Sequence, residues 1–244
     1  MPISSSAHLI IFGELLNIYS EDLTIEVFLH FASLVAVLFF MRKKIKVLII
    51  GFCLYIIKKE KKHKNDFLMI LYLIISTIPV CVVAILFNDK INYLETNLLL
   101  IGCLLILNGF ILLLISKRND KNTINFKDAL FIGLTQCIGI LPGISRSGSC
   151  LVGANSRSIN KDLAADYAFL LFVPASFGAT LLKVKNIIGI VSDSIGLYVI
   201  VFLVTLITTY LSLSFLLKII KQGKIKWFSI YCITVGIIIV ISKL

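Results

Sequence analysis

Six stretches of the chain stay apolar long enough to cross, or nearly cross, about 30 Å of hydrocarbon as helices. Residues 67–87, 97–116, 195–217 and 227–242 carry no charged side chain, while 23–40 and 163–182 carry one each, Glu26 and Asp166. The strict alternation of a barrel strand is absent, and lipid-facing backbone must pair within its own segment, so the spans are read as helices. A shorter apolar piece, 47–57, lies between Arg42, Lys43, Lys44 and Lys46 on one side and Lys58, Lys59, Lys61, Lys62 and Lys64 on the other. That pattern predicts a segment lying along the membrane interface. Residues 128–156 fit neither description. Their uncharged run, 129–144, breaks at Pro142-Gly143 and continues with small and polar residues. This predicts a re-entrant hairpin, because irregular backbone at membrane depth persists only inside protein or along a cavity.

Composition narrows the class further. With 59% apolar and 15% charged residues and a mean hydropathy of +1.01, the chain has too little polar surface for a soluble domain. Its net charge of +11 would suggest nucleic acid in a soluble protein. Here the basic residues sit in short loops beside spans, as the positive-inside rule expects, and no nucleic-acid motif accompanies them. Those loops give a topology. Span 23–40 runs inward, 67–87 outward, 88–96 is an external loop with Lys90, and 97–116 returns to a cytoplasmic loop bearing Lys117, Arg118, Lys121 and Lys127. Lys218, Lys221, Lys224 and Lys226 place the last loop inside, so 163–182 runs outward and 128–156 starts and ends on one side. Lys183 and Lys185 fit less well, at an external end. Cys53, Cys81, Cys103, Cys137, Cys150 and Cys232 show no C-x-x-C spacing and read as reduced packing residues. The first residues lack the positive region of a cleavable signal.

The chain also echoes itself. Pro2-Ile3-Ser4-Ser5-Ser6-Ala7-His8 matches Pro142-Gly143-Ile144-Ser145-Arg146-Ser147-Gly148-Ser149 once a glycine is allowed, and two of the four prolines fall at the same place in both copies. Each copy precedes a span of opposite direction. The expected architecture is a single all-α polytopic membrane domain over 1–244, with inverted repeats 1–116 and 117–244 and re-entrant broken helices meeting around a polar site.

The chemistry of these segments is specific. A serine after proline can cap a new helix, whose free N–H groups bind anions such as phosphate. Arg146 adds a forked cation suited to phosphate oxygens. Ser4 and Ser5 lie four and three residues before His8, placing hydroxyl and imidazole on one helix face. Such a pair can act as nucleophile and base, or bind phosphate oxygens. Plainer readings stand beside these. Ser6 and Ser147 could be caps only, His8 an interfacial histidine, and Arg146 a partner of Asp162 or Asp166. Glu26 and His30 read as an internal polar pair, and His63 as a solvated side chain in a lysine run.

At these residues the sequence resembles the undecaprenyl-pyrophosphate phosphatase family, also called the bacitracin-resistance type. Gly133-Leu134-Thr135-Gln136 with Pro142 to Gly148 is similar to its second signature, and Pro2 to Leu9 to the end of its first. Phe28-Leu29-His30, Arg42-Lys43-Lys44, Ser76-Thr77-Ile78-Pro79 and the stretch around Pro174 add further likeness. The resemblance implies a bacterial inner-membrane, multi-pass enzyme that removes the terminal phosphate of undecaprenyl pyrophosphate. This would recycle the lipid carrier for peptidoglycan synthesis and confer bacitracin resistance. It implies Ser5 as nucleophile or phosphate ligand, His8 as base or acid, and Ser145 and Arg146 as groups gripping the pyrophosphate. Ser4, Ser6, Ser147 and Gly143 would support them, with Mg²⁺ or Ca²⁺ as cofactor and ligands left open.

The sequence departs from the family in one respect. The glutamate-rich segment that precedes the first signature is not found before Pro2, where Met1 alone stands. On that pattern the chain is expected to be shortened, and weak or inactive beside a form carrying those carboxylates. A second lipid-phosphatase class requires a histidine six residues after Arg146, where Val152 stands. Two rivals from other classes are a polyprenyl-phosphate transporter or flippase and an inactive remnant.

Overall fold

The computed structural model describes residues 1–16, 24–115 and 120–243. Leu23 and the loop cations Lys117 and Arg118 lie outside the described residues. The chain folds as eleven helices among them: α1 (Ser5–Leu15), α2 (Thr24–Phe40), α3 (Arg42–Lys58), α4 (Lys64–Leu86), α5 (Asn88–Glu95), α6 (Leu98–Leu113), α7 (Phe126–Ile138), α8 (Arg146–Ser156), α9 (Lys161–Asp193), α10 (Ile195–Lys221) and α11 (Lys226–Lys243). Among the described residues there is no strand beyond an isolated bridge between Lys121 and Ile159. The all-α polytopic class follows.

Segments around α4, α9, α10 and α11 are long and apolar enough to cross a membrane, and the bent pairs α2–α3 and α5–α6 can each supply a further span. The 47–57 interfacial piece begins earlier than its apolar run suggests. Helix α3 starts at Arg42 and turns 76° from α2, which carries its cations beside the bend. Two expectations need correction. The connection 88–96 is not an open loop but contains α5, bent 100° from α6. Span 163–182 continues to Asp193, a helix of 33 residues. At about 1.5 Å per residue it exceeds the hydrocarbon by roughly 20 Å, so its later turns project beyond it. Lys183 and Lys185 therefore lie on a continuing helix.

Helices α7 and α8 have 13 and 11 residues, about 20 Å and 17 Å of rise, too short to cross singly. They form the hairpin expected over 128–156, and its two ends are stitched together. Asp128, fully buried, takes an ion pair from Lys121 and another at 2.9 Å from Arg157. The Lys121 N–H donates to the Ser158 carbonyl and the Asn160 N–H to the Lys121 carbonyl. Asp128 also completes a capping box with Asn125 at the start of α7. Outside the hairpin, Tyr167 of α9 donates to Ser76 of α4 at 2.7 Å while Ser76 donates to the Ala129 carbonyl of α7 at 2.6 Å. These bonds pin the hairpin to two neighbouring helices. Helices α6 and α11 approach closely through Gly102 and Gly236, where an added Cβ on Gly236 would lie 2.7 Å from the Gly102 carbonyl.

Asp128→Ala leaves Lys121 and Arg157 without their carboxylate and should lower stability by about 3 kcal/mol, the low end for breaking a buried pair because both cations are partly exposed. Burial alone would raise the Asp128 carboxyl, but Lys121, the Asn125 N–H and Arg157 hold it below its ordinary value. A depressed carboxylate contributes stability that is fully present above the ordinary Asp range and is lost as pH falls through the lowered value. Thermal unfolding in detergent should show an acid loss in the native chain that the alanine variant lacks. Identical acid limbs would refute this account of the hairpin's ends.

Candidate functional site

The two motifs repeat one local plan. Ser4 caps α1, its Oγ accepting from the Ala7 N–H at 3.4 Å, and Ser145 caps α8, its Oγ accepting from the Gly148 N–H at 3.1 Å. Both helices have 11 residues. The third residue of each triplet bonds back to its cap, Ser6 to Ser4 at 3.4 Å and Ser147 to Ser145 at 3.2 Å. The middle residue differs in both copies. Ser5 is exposed and Arg146 half-buried, and neither has a hydrogen bond or ion pair among the described residues. At two capped helix starts the fold thus spends the flanking serines on itself and leaves a hydroxyl and a guanidinium unspent.

The motifs meet. Ser4 Oγ also accepts from the Gly143 N–H at 3.2 Å, and the Ser147 hydroxyl donates to the Met1 carbonyl at 3.4 Å. Ser4 holds φ 61°, a left-handed conformation costing a serine about 1 kcal/mol or more, which its two accepted hydrogen bonds help fix. Gly143 at φ 106° has no alternative residue, since a Cβ there would come within 2.6 Å of Leu104 Cβ and 2.9 Å of the Ile101 carbonyl.

Asn108 of α6, absent from the sequence reading, ties the halves together. It is fully buried. Its Oδ1 accepts from the Ser145 N–H at 3.0 Å and its Nδ2 donates to the Pro2 carbonyl at 3.1 Å, with Cys232 Sγ 3.3 Å away. An amide in the middle of an uncharged 20-residue run, eleven residues beyond the Asn97 cap, was the signal available, because polar groups inside such a span need a reason.

His8 bonds through both ring nitrogens to groups other than Ser5. Its Nδ1 lies 2.8 Å from the Ser4 carbonyl and its Nε2 2.8 Å from the Tyr231 hydroxyl of α11. A carbonyl only accepts, so Nδ1 carries the proton, and in the neutral ring Nε2 accepts from Tyr231. The two rings stack at 5.6 Å and 11°. No hydrogen bond joins His8 to Ser5 among the described residues. Tyr231 is the second residue that sequence reasoning missed.

Arg146 pairs with neither Asp162 nor Asp166, and Asp166 is bound instead to Lys44. Glu26 lies within electrostatic reach of the Arg146 guanidinium without touching it, and holds His30 at 3.4 Å. The Glu26–His30 pair is present as read. His63 is not simply solvated, its Nδ1 lying 3.0 Å from Asp66 Oδ2 and its Nε2 3.7 Å from Glu60 Oε2. All six cysteines are free. The arrangement presents two helix N-termini and a cation with no hydrogen bond or ion pair among the described residues, which is the electrostatic form of an anion site.

Comparison with known proteins adds an independent finding. The family model described as bacitracin resistance protein BacA matches residues 1–238. An undecaprenyl-diphosphatase of Oceanobacillus iheyensis is 36% identical over 99% of this chain and 90% of its own length. Undecaprenyl-diphosphatase 1 of Bacillus cereus is 35% identical over 99% of this chain and 91% of its own. A similar protein of Halothermothrix orenii, also an undecaprenyl-diphosphatase, is 36% identical over 99% and 91%.

Asn108→Leu leaves the Ser145 N–H and the Pro2 carbonyl buried without partners, at about 1–3 kcal/mol each. The variant should unfold several degrees below the native chain in detergent. An unchanged Tm would show that the amide does not hold the motifs together.

Proposed function

Since the chain belongs to the bacitracin resistance protein BacA family, we propose that it hydrolyses undecaprenyl diphosphate to undecaprenyl phosphate and inorganic phosphate. It works as a multi-pass enzyme of the bacterial inner membrane, returning the lipid carrier to peptidoglycan synthesis. Its action on the lipid underlies bacitracin resistance. The observation that carries the residue assignment is the shared plan of the two motifs, with Ser5 and Arg146 left free at adjoining helix starts.

In this reading the diphosphate lies between the N-termini of α1 and α8. Arg146 grips its oxygens with a planar fork and opposes the charge that builds on the bridging oxygen as it leaves. Free N–H groups in the first turns share that charge. Ser5 Oγ attacks the terminal phosphorus as its proton passes through water to His8 Nε2, and the bond to the bridging oxygen breaks to release undecaprenyl phosphate. Water then attacks the phosphoserine phosphorus, which frees inorganic phosphate and restores the Ser5 hydroxyl. Ser4, Ser6, Ser145 and Ser147 hold the backbone that aims these groups, and Gly143 lets the second motif pass close to α6. His8, its tautomer set by the Ser4 carbonyl, offers Nε2 as the site of proton exchange, with Tyr231 orienting it.

A divalent cation, which the resemblance implies, fits poorly with this donor set. Among the described residues no group of three His, Cys, Asp or Glu side chains could hold one. Glu26 with His30 supplies two donors at most. The steps above use the chain's own groups.

Phosphate release from undecaprenyl diphosphate by the purified chain in detergent tests the proposal. Ser5→Ala and Arg146→Gln should each lower kcat/KM by about 100-fold or more with Tm unchanged, because neither side chain bonds to the protein. Ser4→Ala should lower stability by about 1 kcal/mol for the cap alone, and Tm with it. Full activity in both Ser5→Ala and Arg146→Gln would overturn the assignment.

A further inference from the structure

Helix α3 does more than lie beside the membrane. Together with α4 and α9 it encloses a cavity of about 320 Å³, walled by Leu48, Met69, Leu163 and Leu170, with Lys43 and Lys44 at one side. The cavity lies away from the two serine motifs, none of whose residues line it. Lys44 is committed to Asp166 across this gap. Lys43 and Lys46, one turn apart and both exposed, have no ion-pair partner among the described residues. Arg42 is held close to α2, donating to the Phe39 carbonyl at 3.0 Å and stacking over the Phe39 ring at 4.3 Å.

The surface around the cavity is made for lipid. Val47, Ile50 and Ile57, spaced along one side of α3, are 60%, 46% and 76% exposed, whereas Gly51 packs against Asp66 of α4. Helix α3 therefore docks on α4 through one face and offers apolar side chains to the bilayer through another. The cavity walls away from Lys43, Lys44, Asp166 and Tyr167 are apolar, and a neighbouring chain of methylenes is the material that suits them. A head group on that chain would lie among the free ammonium groups, where the positive-inside pattern places the cytoplasmic leaflet. Basic pockets between helices at that level select anionic heads.

We propose that this cavity is a binding site for an anionic phospholipid of the cytoplasmic leaflet, one acyl chain entering between α3, α4 and α9, its phosphate held by Lys43 at the cavity's side and drawn further by the positive field of Lys46 one turn along α3. Both parts of the ligand are needed. Inorganic phosphate would leave the apolar walls unfilled, and a zwitterionic lipid would gain little from the ammonium pair. The bound lipid braces the 76° corner between α2 and α3 and so steadies the helix that carries Glu26.

Native mass spectrometry of the full chain in detergent tests this, with phosphatidylglycerol and phosphatidylcholine of matched acyl chains added in turn. Phosphatidylglycerol should be retained at least about fivefold better, the factor expected for each ammonium near a membrane surface. Lys43→Gln with Lys46→Gln should abolish that preference at unchanged Tm. Leu48→Trp, which fills the cavity, should reduce retention of both lipids. Inorganic phosphate should not displace the bound lipid, and undecaprenyl phosphate should not outcompete phosphatidylglycerol. Equal retention of the two phospholipids, an undiminished preference in the double variant, or unaltered retention in Leu48→Trp would each overturn the proposal. Displacement by inorganic phosphate would assign the cations to a free anion, and stronger binding of undecaprenyl phosphate would assign the cavity to the carrier lipid.

Discussion

Asn108 holds the Pro2 carbonyl with its amide nitrogen and the Ser145 N–H with its oxygen. No other orientation of that amide satisfies a carbonyl and an N–H together. Because the side chain is fully buried, neither bond can be exchanged for water, so the two motifs are fixed relative to one another. Segments more than a hundred residues apart in sequence are thereby brought into a single frame by α6. The close α6–α11 packing at Gly102 and Gly236 sets that frame and also delivers Tyr231 to His8.

Within the frame, like residues divide the labour. Each motif has a capping serine, a free middle residue and a serine turned back to the cap. The caps satisfy backbone donors that would otherwise be orphaned at a helix start, while the free positions differ in kind. One is a hydroxyl able to attack phosphorus, and the other a cation able to neutralise what leaves. An unpaired guanidinium in apolar surroundings is costly for folding, and that cost is understandable where an anionic substrate supplies the missing partner.

Much of this was legible in the sequence. Apolar runs placed most of the helices, and the internal echo marked the two capped helix starts that the fold brings together. Helix α9 outran its predicted end because the apolar run stops at Lys183, although a helix leaving the hydrocarbon tolerates lysines. Helix α5 was hidden by its polar composition. Asn108 and Tyr231 were missed for a different reason. Each is one polar residue in an apolar run, and what it bonds to is decided by helix packing rather than by neighbours in sequence. His8 shows the limit of spacing arguments. Its position four residues after Ser4 did predict a contact, but with the Ser4 carbonyl and not with a serine hydroxyl.

The central claim is that one diphosphate head group sits between the two helix starts. A structure of the chain bound to a non-hydrolysable methylene-bridged analogue of the lipid diphosphate tests it most directly. The account predicts the terminal phosphorus facing Ser5 Oγ, with the Arg146 guanidinium bonded to the phosphonate oxygens and Asn108 still joining Pro2 to Ser145. Density for the head group elsewhere, with Ser5 and Arg146 contacting nothing, would contradict it.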